Sequence, residues 1–390
     1  MNKKFKVAFI IPNIFSLGGE QRLTTVISNL FLNYNYDVNI ICTEPNMEID
    51  YSMYSLNKKI KILNIKYKKY FLDPIKLFRF SNRNLGLFKN NSKILEKIYC
   101  VKRLQRKLIK VINENNYDFV IAVGGYYSMV LASIKNQINS KIIGWQLNSF
   151  DAYFQNPKKY YWNQDSLFKR LIPNLDSYVL LTKYDQKKTL EYFNCKTEVI
   201  YNPVSFTSKR VSQTKNKQFI AIGRYTTAKG FDLLIESFNI FSKQNKDWKL
   251  IIIGEGEDKT LLENLIKKYN LDKRVKLHGK TKNIEKFFLD SKALLLSSRW
   301  EGMPMVVTEA MELGVPVISY DIPVCKEIIN DYENGLLVKS FDTYLFAEKM
   351  LEFSNNEDLQ KKLSKNIKKS SKMISQEVIG RKWKDLLERL

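Results

Sequence analysis

The sequence predicts an α/β protein built from two doubly wound domains, and three observations predict it. Its 390 residues exceed what one ordinary core organises and suggest two. A strand–loop–helix alternation opens twice, once at Lys6 and again at Phe219. The stretch Ser297–Tyr320, SSRWEGMPMVVTEAMELGVPVISY, then reads as a complete turn–helix–strand unit. Leu294-Leu295-Leu296 ends a buried strand before it. Gly302 and Pro304 break the chain, Met305 to Leu313 is helical up to Gly314, and Val315 to Ser319 starts the next strand. A loop and a helix N-terminus therefore sit at the carboxyl end of a parallel strand, where open α/β sheets bind ligands.

Taken in order, Lys6–Ile11 is the first strand and Asn13–Glu20 a glycine-containing loop. The helix that follows, about Gln21 to Asn33, carries Leu23, Val26, Ile27, Leu30 and Phe31 on one face. Gly18 and Gly19 let the backbone approach a ligand closely, although the pair is not a G-x-G-x-x-G fingerprint. Val38–Cys42 is a second strand. The stretch from about Asp50 to Lys110 reads as an irregular basic insertion with several helices. Phe119–Val123 and Lys141–Trp145 are further strands, the latter leading into the loop Gln146–Asp151. Ser177–Thr182 is a strand and Lys183–Phe193 a helix. Val199–Val204 leaves the first domain, and Ser205–Lys217 is a polar linker and edge.

The second half repeats the pattern, with strands at Phe219–Gly223, Lys249–Ile253, Val275–His278, Ala293–Leu296 and Val315–Ser319. A last helix from about Gln376 carries Val378, Ile379, Trp383, Leu386 and Leu387. In the organising stretch, free backbone amides of Gly302, Met303 and Met305 favour an anion at the helix start. Glu301 lies just before that helix and Glu309 within it, a little over two turns apart, so both can face one ligand. Carboxylates accept hydrogen bonds from vicinal hydroxyls. An anion gripped at the helix end and hydroxyls on either side describe a nucleotide sugar. Two ordinary surface acids would satisfy the spacing equally well.

Composition narrows the class. Hydrophobic residues make up 44%, enough for sizeable cores and too much for a disordered chain. No apolar run reaches the roughly 18 residues of a membrane span. Val7–Ile11 is too short for a secretion signal, so the expected location is cytoplasmic. Cys42, Cys100, Cys195 and Cys325 are scattered without metal-ligand spacing, as buried thiols of a reducing compartment would be. The single histidine, His278, reads as a strand-end residue. The net charge of +24 is uneven: Tyr51–Lys110 holds 17 Lys and Arg against Asp73 and Glu96. Lys66-Tyr67-Lys68-Lys69-Tyr70-Phe71 interleaves charge with rings, and Lys102, Arg103, Arg106, Lys107 and Lys110 recur at helical spacing. Nucleic acid, anionic lipid headgroups, a pyrophosphate-linked acceptor or a plain solvated face would each fit.

The organising stretch resembles the E-x7-E signature of family 4 glycosyltransferases, which have the GT-B fold. Supporting motifs are GGEQR at Gly18–Arg22, IGRYTTAKGFDLLIESF at Ile222–Phe238, IIGEGED at Ile252–Asp258 and NGLLV at Asn334–Val338. The likeness covers nearly the whole chain and is densest in the second half. It implies two Rossmann-like domains facing across a cleft: an acceptor-binding domain over residues 1–202, with helix 375–390 packing back on it, and a nucleotide-sugar domain over 203–374. It implies that Arg224 and Lys229 contact the donor diphosphate, Glu309 the ribose hydroxyls and Glu301 the transferred sugar. Gly223 keeps that loop clear, the Gly18-Gly19 loop closes over donor phosphates or sugar, and Gly254 lies near the nucleobase. The implied donor is UDP-linked, with retained anomeric configuration. The implied setting is bacterial surface-polysaccharide assembly on a glycan, in particular a lipid-linked one, peripheral at the inner membrane face.

The chain departs from the family at Leu147, where relatives often carry a histidine in a W-x-H-N pattern. A histidine base is thereby excluded there, and a front-face reaction is expected in which the leaving phosphate takes the acceptor proton. Asn148 and Asp151 of the same loop are the acceptor-side candidates. No D-x-D pair ends a strand, so neither a metal nor another cofactor is expected. Two other readings remain: a nucleotide-sugar-binding protein with impaired catalysis, suggested by Leu147, and a nucleic-acid binder, suggested by charge alone and lacking any binding motif.

Overall fold

A computed structural model describes residues 4–67, 75–212, 215–281 and 283–390. The chain divides into two compact units, Met1–Pro203 with Gln376–Leu390, and Val204–Ser375.

The first unit is built on seven parallel strands: β1 (Lys6–Ile11), β2 (Asp37–Cys42), β3 (Lys61–Asn64), β4 (Phe119–Val123), β5 (Lys141–Trp145), β6 (Ser177–Leu180) and β7 (Thr197–Val199). They lie in the order β3-β2-β1-β4-β5-β6-β7. Val7 to Ile11 are all fully buried, as expected of a central parallel strand covered on both faces. The order reverses direction between β1 and β4, so the crevice beyond their carboxyl ends is the unit's switch point. Helix α1 (Gly19–Asn33) starts in that crevice. The C-terminal helix Gln376–Arg389 belongs to this unit: Trp383 packs edge-on against Phe31 and Trp145, with ring centroids 6.1 and 5.2 Å away.

The basic insertion is more regular than its sequence suggests. Lys61–Asn64 pairs in parallel with β2, Asn39 opposite Lys61 and Cys42 opposite Asn64, and makes the sheet edge. Four residues flanked by lysines are too short to show a period-2 pattern. Three helices follow: α2 (Ile75–Leu85), α3 (Ser92–Tyr99) and α4 (Lys102–Asn115). Helix α4 buries Leu104, Leu108 and Ile112 and turns Lys102, Arg103, Arg106 and Lys110 to solvent. Lys107 is no free charge, since its ammonium donates to the Ile65 carbonyl at 2.7 Å. Lys68, Lys69, Tyr70 and Phe71 lie outside the described residues.

The second unit has six parallel strands: β8 (Gln218–Ile222), β9 (Lys249–Ile253), β10 (Val275–His278), β11 (Ala293–Leu296), β12 (Val317–Tyr320) and β13 (Gly335–Val338). Their order is β10-β9-β8-β11-β12-β13. Here the direction reverses between β8 and β11. The loops that leave those two strands are 223–230 and 297–304.

Candidate active site

Arg224 and Lys229 were expected on one of these loops and Glu301 on the other, and the topology brings the two loops side by side. The ammonium of Lys229 donates to Glu301 Oε1 at 2.5 Å, and the Ser298 hydroxyl donates to the same oxygen at 2.6 Å. The Lys229 and Glu301 side chains are 22% and 11% exposed, enough shielding for the pair to be more than a surface contact. Arg224 is exposed at the start of its loop.

Local packing dictates this arrangement. An added Cβ at Gly223 would lie 3.0 Å from the Lys229 methylenes, so the glycine makes room for the lysine stem. Gly230 has φ +60°, and a Cβ there would meet the Ser297 carbonyl oxygen at 2.1 Å, so only glycine lets the two loops touch. Gly254 serves the same scaffold, because a Cβ on it would strike the Gly223 carbonyl oxygen at 1.9 Å. The Ser297 hydroxyl donates to the Lys229 carbonyl at 2.9 Å.

Arg299, which sequence reasoning passed over, locks the loops together. Its two Nη groups donate to the Asp232 carboxylate at 2.8 and 2.7 Å, and Nη1 also reaches the Thr227 carbonyl at 2.8 Å. Its own amide donates to the Ala228 carbonyl at 2.7 Å. Burial raises the Asp232 pKa, but the Arg299 hydrogen bonds and charge outweigh it and hold the carboxyl below its usual range.

Helix Met305–Glu312 begins after Pro304, its N-cap, so a short turn through Gly302 and the buried Met303 separates Glu301 from the helix. Glu309 is 1% exposed, and its Oε1 accepts from the Ser205 hydroxyl at 2.7 Å. Ser208 repeats the pattern, its amide donating to Glu312 at 2.9 Å. The segment read as a plain polar linker is thus fastened along the helix. Its only sequence signal was a pair of serines three apart. His278 is a strand-end residue whose Nδ1 bonds the Gly279 carbonyl oxygen at 2.7 Å.

The first unit holds a cavity of about 600 Å³, within the range that small-molecule sites occupy. It opens at the switch point of that sheet and is lined by the strand-end residues Pro12, Thr43, Val123 and Gly124, and by Leu147 and Asn148 after β5. Gly18 caps α1, its amide donating to the Tyr54 hydroxyl at 2.9 Å, Gly19 opens the helix, and Glu20 reaches the cavity wall. Six tyrosines complete it, among them Tyr126, Tyr127, Tyr153 and Tyr161. Burial pushes those four phenols upward, so they remain protonated donors. Burial among these rings also raises the Glu20 carboxyl. Asp151 is not among the lining residues; it accepts from the Tyr184 hydroxyl at 2.6 Å. The tyrosines, spread over Tyr67–Tyr161, had no motif to announce them.

Among the described residues, no three His, Cys, Asp or Glu side chains cluster as metal ligands would. No described helix is long and apolar enough to cross a membrane. All four cysteines are free thiols, and burial pushes Cys42, Cys100 and Cys325 up to about 12.

Residues 205–370 match the family model of glycosyl transferases group 1, nearly the whole second unit. The amylovoran biosynthesis glycosyltransferase AmsD of Erwinia amylovora is 26% identical over 98% of this chain and 99% of its own. A GalNAc-alpha-(1->4)-GalNAc-alpha-(1->3)-diNAcBac-PP-undecaprenol alpha-1,4-N-acetyl-D-galactosaminyltransferase of Campylobacter jejuni is 24% identical over 98% of both. Among solved structures, S. aureus TarM in complex with Fondaparinux, alpha-GlcNAc-glycerol and UDP superposes with a TM-score of 0.77 at 17% identity, over 98% of this chain and 100% of its own.

Proposed function

We propose that this chain, a glycosyltransferase of GT-B fold whose second unit is a glycosyl transferases group 1 segment, moves a sugar from a UDP-linked donor to a glycan acceptor with retained anomeric configuration. One observation carries the reading. The loops at the second unit's switch point carry Arg224, Lys229 and Glu301, the last two in contact, and open α/β sheets bind ligands at such points. The diphosphate takes the fork of Arg224 and the ammonium of Lys229, which neutralise charge growing on the leaving oxygen. Glu301 receives hydroxyls of the transferred sugar, and Glu309 those of the ribose. The pair at 2.5 Å then has a purpose before donor arrives: each partner holds the other in place, and the ligand substitutes for both.

No histidine stands on the acceptor side, so the leaving phosphate accepts the acceptor's proton as the new bond forms on the same face of the sugar. Arginine and lysine supply the charge that a divalent ion supplies elsewhere, so the reaction runs without metal. The tyrosine cavity of the first unit takes the acceptor glycan, its rings covering sugar faces and Asn148 and Glu20 meeting hydroxyls. The amylovoran biosynthesis relative supports a role in bacterial surface glycan assembly, and the undecaprenol-linked one a lipid-linked acceptor; such an acceptor would be met at the inner membrane face. Thermal unfolding against a panel of nucleotide sugars tests the donor. A ligand at 100 times its dissociation constant adds about 2.7 kcal/mol. NMR of the product made with the stabilising donor reads the anomeric configuration. No stabilisation by any UDP-sugar, or inversion at the anomeric carbon, sinks the reading.

A further inference from the structure

Helix α2 leaves large apolar side chains in water while it buries a polar one. Its inward side sets Ile75 against the core beside two polar residues. Asn82 is fully buried, where its Nδ2 donates to the Asn163 carbonyl at 3.0 Å and its Oδ1 accepts from the Phe88 amide at 3.1 Å. Arg79 Nε and Nη2 both donate to the Ile98 carbonyl, at 3.1 and 2.9 Å. Its outward side mixes Lys76, Ser81, Arg83 and Asn84 with large apolar side chains. Leu77 is 68% exposed, Phe80 65% and Leu85 72%, and Leu87 just beyond the helix is 62% exposed. At about 100° per residue Leu77 lies between Phe80 and Leu85, which stand about 140° apart on one broad outward side of the helix. Scattered exposed leucines are ordinary, but four large apolar side chains exposed within eleven positions mark an interaction site.

The charge around the patch decides what covers it. Residues 75–97 contain Lys76, Arg79, Arg83, Lys89, Lys93 and Lys97 against the single acid Glu96. Glu96 is already engaged by Arg170. A second copy of this chain would set those cations against their own kind. A surface that accepts apolar side chains between anionic groups satisfies both features, and a bilayer containing anionic lipid is such a surface.

We propose that α2 and the turn after it dock this protein on an anionic membrane, with Leu77, Phe80, Leu85 and Leu87 entering the headgroup–acyl boundary and Lys76, Arg83, Lys89 and Lys93 meeting lipid phosphates. The purpose of this surface rests on the lipid-linked acceptor reading above. The Asn82–Asn163 bonds tie the helix to the segment whose Tyr160 and Tyr161 line the acceptor cavity. A glycan carried on a membrane lipid would then emerge beside its binding site. The surface differs from the one charge alone suggests, since on α4 Lys102 and Lys110 are exposed while Lys107 is internally bonded.

Co-sedimentation with phosphatidylcholine vesicles, with and without phosphatidylglycerol, tests the proposal. The full chain should pellet with the anionic vesicles only. The triple variant Leu77→Ser, Phe80→Ser, Leu85→Ser should lose at least about tenfold in partitioning, because three apolar side chains no longer transfer from water. Lys76→Glu with Arg83→Glu should lose a similar factor at low salt and less at high salt. All these side chains are more than a third exposed, so the variants should fold. Far-UV circular dichroism and a melting curve check this: a triple variant with the wild-type spectrum and melting temperature has an intact first unit. Wild-type partitioning by the triple variant overturns the proposal. So does equal pelleting with both vesicle types, and so does a dimer in light scattering that the triple variant disperses. If UDP fails to stabilise even the wild type, the donor reading falls while the vesicle result stands.

Discussion

Removing Lys229 should damage the protein in two ways that a double-mutant cycle separates. At 2.5 Å and an effective dielectric near 20, the attraction between Lys229 and Glu301 is about 6–7 kcal/mol before desolvation is subtracted. Both side chains keep some solvent, 22% and 11%, so neither the full attraction nor the full burial penalty applies. A net coupling of about 2 kcal/mol is expected, within the range for contacting residues. Lys229→Met leaves the Glu301 carboxylate with the Ser298 hydroxyl alone, and should lower the melting temperature by about 4–8 °C for a unit of this size. Adding Glu301→Gln removes the stranded charge, and stability should largely return. Turnover, read as UDP release from the donor that stabilises the protein, should not return, because each residue also has a donor group to hold. A double variant that recovers both stability and turnover would falsify the donor role and leave the pair as a brace.

The other expected outcomes are more direct. Glu309→Ala should weaken UDP binding by about 1.5–3 kcal/mol in calorimetry, the worth of hydrogen bonds to a charged group. Ser205→Ala should weaken it less, since its hydroxyl acts only through the carboxylate it bonds; equal losses would make Ser205 a ligand. Arg224→Ala should lower kcat more than it raises KM, and Arg224→Lys should not rescue it, because a point charge does not replace a bidentate fork. Turnover should survive excess EDTA; complete loss, restored by magnesium or manganese, would overturn the metal-free mechanism. Asp232 has a folded pKa below its unfolded value near 3.9, so its contribution is present above about pH 4 and is lost as pH falls through the folded value. Asp232→Asn should therefore flatten the acid limb of stability measured by urea unfolding; an unchanged limb removes the Arg299 pair as a source of acid sensitivity.

What was legible in the sequence was whatever is encoded in short-range order. Ala293–Leu296 and Val275–His278 announce themselves as apolar or alternating runs, and Gly314 stops its helix because a positive φ of 65° suits glycine. Arg224, Lys229 and Glu301 drew notice because their loops follow strand ends and carry motifs that resemble those of family 4 glycosyltransferases. What was not legible depends on contacts between distant segments. Ser205 and Glu309 are 104 positions apart, and Arg299 and Asp232 are 67 apart. Serine in a linker and arginine in a basic chain carry no local pattern that names a partner. Strand β3 failed for another reason: an edge strand buries little, so its apolar signal was diluted by Lys61 and its neighbours.

The same contrast explains why the charge of the basic insertion named no surface. Net charge is additive along a sequence, so the 17 cations in Tyr51–Lys110 left several partners and a solvated face equally open. Folding distributes them by geometry: Lys107 turns inward to a carbonyl, Arg79 is spent holding α2 down, and the α4 cations line a water-facing side. What survives as a distinctive surface is defined by the apolar side chains that are left outside. A soluble helix gains by burying Leu77, Phe80 and Leu85, at about 25 cal/mol for each Å² removed from water. Here the fold instead buries Asn82 and satisfies it with hydrogen bonds to Asn163 and Phe88. The fold thus fixes α2 by directional bonds while forgoing the apolar burial open to its other face. That choice leaves the apolar stabilisation unclaimed, available to a partner that the isolated chain does not contain.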